Sequence, residues 1–311
     1  MKHSFFFAAA FVAGIFCATE LAWSDDAEDA ERAEQLEKAK QFALEEVFDL
    51  HYKFQPGESF RTKVVHLVTV ETKIQGTSET AKTRSISTKL WKIQKVDAAG
   101  NITFINSVEA VDMWQKMSGR AEVSYNSETD EKPPAEYVHV ATSIGKPLAM
   151  ITIDPYGKIV TRDKTQFNSG IGDLTVPLPN KPLKIGQEWH VPEEILLRMS
   201  DKTMKTIKAR QRFTLQKVET GIATISVRTE ILTPNSDPKV QSQLVQKMQH
   251  GTIKFDIDAG RIVSKQMDLD ETVIGFSGSE SVMQYLARLT EEPIEGQNTA
   301  ERPASSRRTK R

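Results

Sequence analysis

The stretch KPLKIGQEWHV, residues 181–191, determines how the fold is organised, because the chain after it resembles in outline the chain after FQPGESFRT at residues 54–62. Each stretch places a turn glycine, Gly57 or Gly186, directly before an extended run. An aromatic residue stands three positions after each glycine and is expected to anchor the run in a core; in the later stretch it is Trp189. The two stretches therefore predict the starts of two similar halves.

Two further landmarks recur in the same order. IQKVDAAGNIT at residues 93–103 is matched by LQKVETGIAT at 215–224, and IDPYGKIV at 153–160 is matched by IDAGRIV at 257–263. Three landmarks in register predict an internal duplication. The landmark glycines are 43 and 57 residues apart in the first half but 35 and 39 in the second, so the first copy carries insertions. The alternative is that these turns are common hairpin chemistry.

The first 24 residues have the zones of a secretory signal. Lys2 and His3 precede the apolar run FFFAAAFVAGIFCA, and the small-residue pattern at residues 22–24 predicts cleavage after Ser24. The apolar run is shorter than the roughly 20 residues that a spanning helix needs, so no transmembrane span is expected after cleavage. Cleavage also removes Cys17, the one cysteine, which leaves neither a disulfide nor a thiol nucleophile. We expect an exported protein, periplasmic or extracellular.

Residues 25–50 predict an acidic amphipathic helix. They contain strong helix formers with no glycine or proline. One apolar stripe runs along this helix at helical spacing. Its members are Leu36, Ala39, Ala43, Val47 and Leu50.

The apolar period changes to two further on. In SFRTKVVHLVTVETKI, residues 59–74, apolar and charged side chains alternate, which predicts an unusually long strand. We therefore expect a mainly β fold: long, curled antiparallel sheets in a half-barrel or barrel-like arrangement, with two duplicated halves and an N-terminal helix. The expected order is a first half at 51–166, a linker at 167–182, a second half at 183–292 and a disordered tail at 293–311.

Three short segments have less regular patterns. Residues 137–143 predict a short helix or irregular segment, and residues 193–199 a short helix. In ESVMQYLARL, residues 280–289, the spacing of the apolar residues fits either a strand or a helix. We favour the strand, because it would pair with the run just before it across the turn GFSGS.

The phrases YKFQPGESF, PLPNKPLKIGQEW and GTIKFDIDAGRIVS resemble those of a group of exported bacterial β-rich proteins of uncharacterised function. The resemblance covers most of residues 50–275. The shared phrases are turns and anchors. The resemblance therefore implies export and a β-rich fold, and it implies no catalytic residue.

No catalytic, metal or cofactor site is predicted. The five histidines after the signal show no metal-ligand spacing, and GFSGS lacks the final glycine of a nucleophile elbow. Asp154 and Asp258 are expected to bond their own turn backbones rather than to act as paired carboxylates. A net charge of −1 argues against a globally basic nucleic-acid binder. An enzyme is therefore not expected.

Two functional hypotheses remain. The first is a non-enzymatic binding protein of the cell envelope that holds a hydrophobic or lipid-like ligand on a concave sheet. The second is a surface or scaffolding protein that uses the acidic helix and a basic strand. The candidate anionic-surface contacts on that strand are Lys202, Lys208, Arg210 and Arg212. Either the acidic helix or an anionic envelope component would meet these charges. The sequence does not predict an oligomeric state.

Overall fold

The computed structural model describes residues 31–35, 46–164, 175–199, 202–294 and 299–300. The chain forms two compact units, residues 1–46 and 47–311. In the first unit residues 31–35 are helical and exposed. The predicted signal peptide, most of the predicted acidic helix and the predicted tail beyond residue 300 lie outside the described residues.

The second unit is built on one antiparallel sheet. Thirteen strands form it: β2 (Glu58–Ile74), β3 (Thr77–Val96), β4 (Ile102–Met117), β5 (Val123–Asn126), β6 (Pro147–Ile153), β7 (Ile159–Lys164), β9 (Glu188–Arg198), β10 (Met204–Glu219), β11 (Ile222–Ile231), β12 (His250–Asp256), β13 (Arg261–Ile274), β14 (Val282–Pro293) and β15 (Thr299–Ala300). Two short strands, β1 (Val47–Phe48) and β8 (Leu183–Lys184), pair separately. The expectation of long antiparallel strands is confirmed.

Two short helical segments interrupt the meander. A 3₁₀ turn at Ala135–Tyr137 leads into helix α1, Val138–Ser143. Helix α2, Pro238–Leu244, continues into a 3₁₀ turn at Val245–Lys247, and Asp237 caps its first turn by accepting a hydrogen bond from the Lys239 amide. Residues 137–143 are open to two interpretations from the sequence, a short helix or an irregular segment, and the structure has a short helix at Val138–Ser143.

The sheet is open within the described residues rather than closed into a barrel. Its strand order is β7-β6-β4-β3-β2-β14-β13-β12-β11-β10-β9, so β7 and β9 are the two ends. The strand predicted at residues 280–289 is confirmed as β14, which pairs with β13 as expected. It also pairs with β2, and this second pairing joins the two halves at the centre of the sheet.

One face of the sheet carries the core. We call it the inner face; it carries Phe60, Trp91 and Phe213, and the opposite face is the outer face. A single buried cluster joins Ile151 on β6 to Phe255 on β12, six pairings away in the strand order. Because residues of both wings pack into one cluster, the sheet curls around its inner face. Burial of this apolar surface is the main stabilising term for such a fold.

Residues 50–54 close one end of the inner face. The Tyr52 hydroxyl donates to the Val176 carbonyl over 3.0 Å, and its ring packs edge-on against Phe255. The Tyr52 amide donates to Pro155, in the turn between β6 and β7, and the Lys53 amide donates to Gly260, in the turn between β12 and β13. The β6–β7 turn of the first half and the β12–β13 turn of the second half therefore both bind residues 52–53.

One predicted helix is a strand instead, and another does not reach its predicted end. The spacing at residues 193–199 predicts a helix, but β9 continues to Arg198, because Ile195 and Leu197 alternate onto the inner face in register with β10. The predicted acidic helix does not extend to residue 50, since Val47–Phe48 pair with β8 and Leu50 is fully buried in the core. In both places pairing with distant residues overrides the local helical spacing.

Each half places a helical segment between two groups of antiparallel strands. The segment follows β2–β5 and precedes β6–β7 in the first half, and it follows β9–β11 and precedes β12–β14 in the second. Matching turns make matching bonds, since the Gly57 amide donates to Ile93 and the Gly186 amide donates to Leu215. These matches are what a duplication predicts. The duplication nevertheless stays a prediction, because common hairpin chemistry gives similar turns.

Candidate functional site

The inner face carries a buried polar layer near Trp91. Lys89 and Glu291 are 7% and 8% exposed, and Lys265 lies opposite Glu291 on β13. The Trp91 indole donates to the Thr62 hydroxyl over 3.2 Å, and that hydroxyl donates to Glu291 over 2.9 Å. Burial lowers the pKa of Lys89, while the nearby Glu291 opposes the shift. The core side chains fill the space around this layer.

The outer face carries one continuous row of side chains across nine strands. Each member lies directly opposite the next in the strand register, so all nine point to the same face. We call it the outer row. Its members are Trp114, Arg84, Leu67, Arg288, Asp268, His250, Arg228, Arg212 and His190. Four arginines stand against one acid, Asp268, which makes the row cationic.

Most arginines of the outer row have a carboxylate partner. Arg84 binds Asp112 in the neighbouring row at 2.9 Å, and Arg288 Nε lies 2.5 Å from Asp268 Oδ1. Arg212 lies between two acids, with Nε 3.0 Å from Glu230 and Nη1 3.4 Å from Glu188. Arg228 is exposed and makes no ion pair with any residue that the structure describes.

The predicted basic strand is only partly assembled as expected. Lys208, Arg210 and Arg212 lie on β10 and share the outer face, while Lys202 lies in the turn before β10 with a left-handed backbone, φ 68°. Arg210 Nε is 2.7 Å from Glu230, so this carboxylate serves both Arg210 and Arg212. The hydrogen bond from Arg210 is the main cause of the lowered pKa of Glu230. Acids on neighbouring strands thus balance Arg210 and Arg212, for which the sequence predicts either the N-terminal helix or an anionic envelope component as the partner.

An open trough lies along the outer row from β4 to β12. Its volume is about 990 Å³, and we call it the outer trough. Its apolar lining comes from Leu67, which is 44% exposed, and from the half-buried Trp114 and Leu286. Cations and acids surround this apolar strip. They are Lys82, Arg84, Arg288, Glu122, His250, Asp268 and Asp270.

A second depression, of about 570 Å³, continues from the outer trough toward β10. We call it the polar pocket, because its side chains are almost all hydrogen-bonding groups. They are Arg212, Thr214, Gln216, Ser226, Arg228, His250, Thr252, Gln266 and Asp268. His250 and Asp268 line both depressions, so the polar pocket and the outer trough are continuous.

Asp268, which lies where the polar pocket meets the outer trough, is held ionised. Burial would raise the pKa of Asp268, but hydrogen bonds from Arg288 and from the Gln266 amide, the latter 2.7 Å long, outweigh burial and lower that pKa. The carboxylate is therefore engaged on two sides. It remains beside His250, its direct neighbour on β12.

The turn aspartates have structural partners. Asp154 Oδ1 accepts hydrogen bonds from the Tyr156 and Lys158 amides, as the sequence predicts. In the second half Asp256, and not the expected Asp258, plays this part by accepting from the Ala259 amide. Within the described ranges, no three potential metal ligands gather, and no helix has the length and apolarity required to cross a membrane.

Comparison with known proteins gives a partial family match. Residues 161–262 match a family of unknown function, DUF6263. The matched region runs from β7 to the start of β13 and includes the strands of the polar pocket up to β12. No curated protein matches the chain.

Three solved structures are distantly similar. A lipovitellin chain, from a structure of its lipid–protein interactions, is 12% identical with a TM-score of 0.49; the match covers 81% of this chain and 26% of that one, so this chain spans about a quarter of lipovitellin. The translocator domain of autotransporter NalP from Neisseria meningitidis is 6% identical, with a TM-score of 0.22 and 87% and 98% of the two chains covered. A DUF1329 family protein from Desulfovibrio piger is 11% identical, with a TM-score of 0.15 and 76% and 85% covered. These scores are too low to support a functional argument.

Proposed function

We propose that this protein is an exported, non-enzymatic binding protein of the cell envelope that holds an amphiphilic, lipid-like ligand along the outer trough. The observation that carries the proposal is a trough of about 990 Å³ with an exposed apolar strip inside a charged margin. Ligand sites generally have volumes of about 300–1,000 Å³. Export rests on the signal-like residues 1–24.

The apolar side chains of the trough lie toward one end, and the polar pocket adjoins the other end. Leu67, Trp114 and Leu286 lie on the strands β2, β4 and β14, and the polar pocket lies beyond β12. From Leu67 on β2 to Arg228 on β11 the outer row crosses four strand spacings, roughly 19 Å. A long-chain amphiphile has an apolar body and a polar head that suit such a gradient.

The inner face is less suited to this ligand at the end nearest Trp91. The sequence favours the concave side for a hydrophobic ligand, but residues 50–54 and the core cluster already fill the end nearest Trp91. The outer trough is open and needs no core residue to move. It is therefore the better supported position for the ligand.

The scaffolding hypothesis has less support, because two of the four predicted basic residues, Arg210 and Arg212, are paired with acids on neighbouring strands. Glu230 and Glu188 lie within 3.4 Å of Arg210 or Arg212. Ion pairs of this exposure contribute little to stability but leave less net charge for a partner surface.

A fluorescence titration tests the proposal. N-phenyl-1-naphthylamine, a neutral apolar dye, is expected to bind saturably and to brighten in the outer trough. Leu67→Gln should weaken binding roughly tenfold, which corresponds to about 1.4 kcal/mol of lost apolar contact. Leu196→Gln is the matched control, since Leu196 is 64% exposed on the same face of edge strand β9, outside the trough. Equal binding by both variants, or no saturable binding by the parent, would contradict the proposal.

A further inference from the structure

Arg228 is an unmatched cation in a pocket of hydrogen-bond donors. It is exposed, has no ion pair among the described residues, and lies opposite Arg212 on β10 and His250 on β12. The neighbouring charge of Arg212 is already balanced, because Arg212 contacts Glu230 and Glu188. The pocket therefore has one cationic charge in excess of its described acids.

The side chains next to Arg228 are arranged to donate. Hydroxyls of Thr214, Ser226 and Thr252 form the adjacent row of the same face, directly opposite one another in the register. The Thr214 hydroxyl already donates to Glu188 over 3.3 Å, which leaves the hydroxyls of Ser226 and Thr252 for a ligand. Hydroxyls can donate or accept, whereas a guanidinium only donates and binds oxyanions with two parallel N–H groups. A tetrahedral oxyanion presents several acceptor oxygens that such a set can satisfy together.

The acids near the pocket are each engaged by donors. The Asp268 carboxylate accepts hydrogen bonds from Arg288 on β14 and from Gln266 on its own strand, so two donors offset its charge. Glu188 and Glu230 both contact Arg212. Arg228 lies on the other side of His250, two strands away from Asp268. An anion between Arg228 and Arg212 would also relieve the repulsion between these two opposed cations.

We infer that the polar pocket is an oxyanion subsite in which Arg228, with Arg212 and the hydroxyls of Ser226 and Thr252, binds a phosphate group. The inference rests on the proposed function, because it makes this phosphate the headgroup of the amphiphile in the outer trough. The same chemistry would also bind a free phosphate ion. The experiment therefore contains an arm for each source.

Displacement of N-phenyl-1-naphthylamine by decyl phosphate and by 1-decanol tests the headgroup. The two competitors share one alkyl chain and differ in the head. Decyl phosphate should displace the dye at a concentration at least roughly tenfold lower than 1-decanol, since charge-assisted hydrogen bonds to phosphate are among the strong ones. Arg228→Gln should abolish this advantage, so that decyl phosphate and 1-decanol displace the dye from this variant at similar concentrations.

Lys254→Gln is the matched control. Lys254 is an exposed cation on the outer face of β12, and it does not line the polar pocket. This variant should keep the advantage of decyl phosphate. If Lys254→Gln and Arg228→Gln lose it equally, the effect is general surface charge and the subsite is overturned.

The remaining outcomes separate the subsite from the proposed function. Equal displacement by both competitors in the parent would overturn the subsite while dye binding still supports the trough. No dye binding would overturn the proposed function itself. Calorimetry with inorganic phosphate supplies the other arm: if it binds as tightly as decyl phosphate and is lost in Arg228→Gln, the site takes the free ion and the headgroup assignment is overturned.

Discussion

Arg212 and Arg228 lie directly opposite one another on the neighbouring strands β10 and β11, with both side chains on the outer face. Opposed like charges on adjacent strands destabilise a sheet. Glu188 and Glu230 offset the charge of Arg212, but no described acid pairs with Arg228. The charge of Arg228, unpaired among the described residues, is therefore expected to lower the stability of the sheet and to favour binding of an anionic ligand.

Removing the Arg228 charge should stabilise the fold. Arg228→Gln is expected to raise the free energy of unfolding by about 0.2–1 kcal/mol at low salt, because the repulsion with Arg212 is relieved. The gain should shrink as salt screens the charges over roughly 10 Å at 0.1 M. Urea denaturation at low and at high salt measures it. Lys254→Gln serves as the control, since its register neighbours Thr224 and Ser264 are uncharged; a destabilised Arg228→Gln would show that Arg228 has a structural partner.

Lys89 should make stability depend on alkaline pH. Burial lowers its pKa in the folded state below the ordinary value of 10.5, so the cost of burying the ammonium is fully present below the folded pKa. As the pH rises from the folded pKa toward 10.5, the folded state has bound fewer protons than the unfolded state, and this cost is relieved. Lys89→Met is therefore expected to remove this rise of stability with pH.

Comparing the pH dependence of stability of Lys89→Met with that of the parent isolates the contribution of Lys89. Burial raises the pKa of Tyr52 and of Tyr285, which lowers stability above pH 10 in both proteins and cancels in the difference. Lys82→Met, at an exposed position of the same strand, should leave the pH profile as in the parent. A pH-independent difference between Lys89→Met and the parent would contradict the buried charge.

Trp189 anchors the start of the second half by stacking and by a hydrogen bond. Its ring lies 5.2 Å from that of Phe213, and its indole N–H donates to Pro177 over 2.8 Å. The side chain is half-buried rather than fully buried, so Trp189→Ala should cost about 3 kcal/mol, the low end for large aromatics. Trp189→Phe should recover most of the loss because it keeps the stack. Thermal melts that match the parent would show that Trp189 does not anchor the core.

Strand content can be predicted from local pattern, whereas the outer row cannot. Alternating side chains at residues 59–74 correctly predict the long β2, because a half-buried strand shows its period in its own residues. The outer row needs Arg84, Arg228 and Arg288, which come from strands far apart in the chain. Their alignment depends on register between distant strands, and no local pattern predicts the pairing of β14 with β2.

The charge balance of the basic strand also cannot be predicted from its local sequence. Period two correctly places Lys208, Arg210 and Arg212 on one face. The hairpin turn between β9 and β10 removes Lys202 from that face, because its backbone is left-handed. Glu230 comes opposite Arg210 only through the pairing of β10 with β11, so the basic segment by itself does not show the local neutralisation.

The position of a bound alkyl chain distinguishes the outer trough from the inner face. A long-chain alcohol that carries a diazirine near its apolar end can be photolysed on the full protein, and the adducts can be mapped by tandem mass spectrometry. If the outer trough holds the ligand, adducts form at or beside Leu67, Trp114 and Leu286, and Leu67→Gln diminishes them while Leu196→Gln does not. Adducts confined to inner-face residues such as Val70 and Tyr285 would contradict binding in the outer trough.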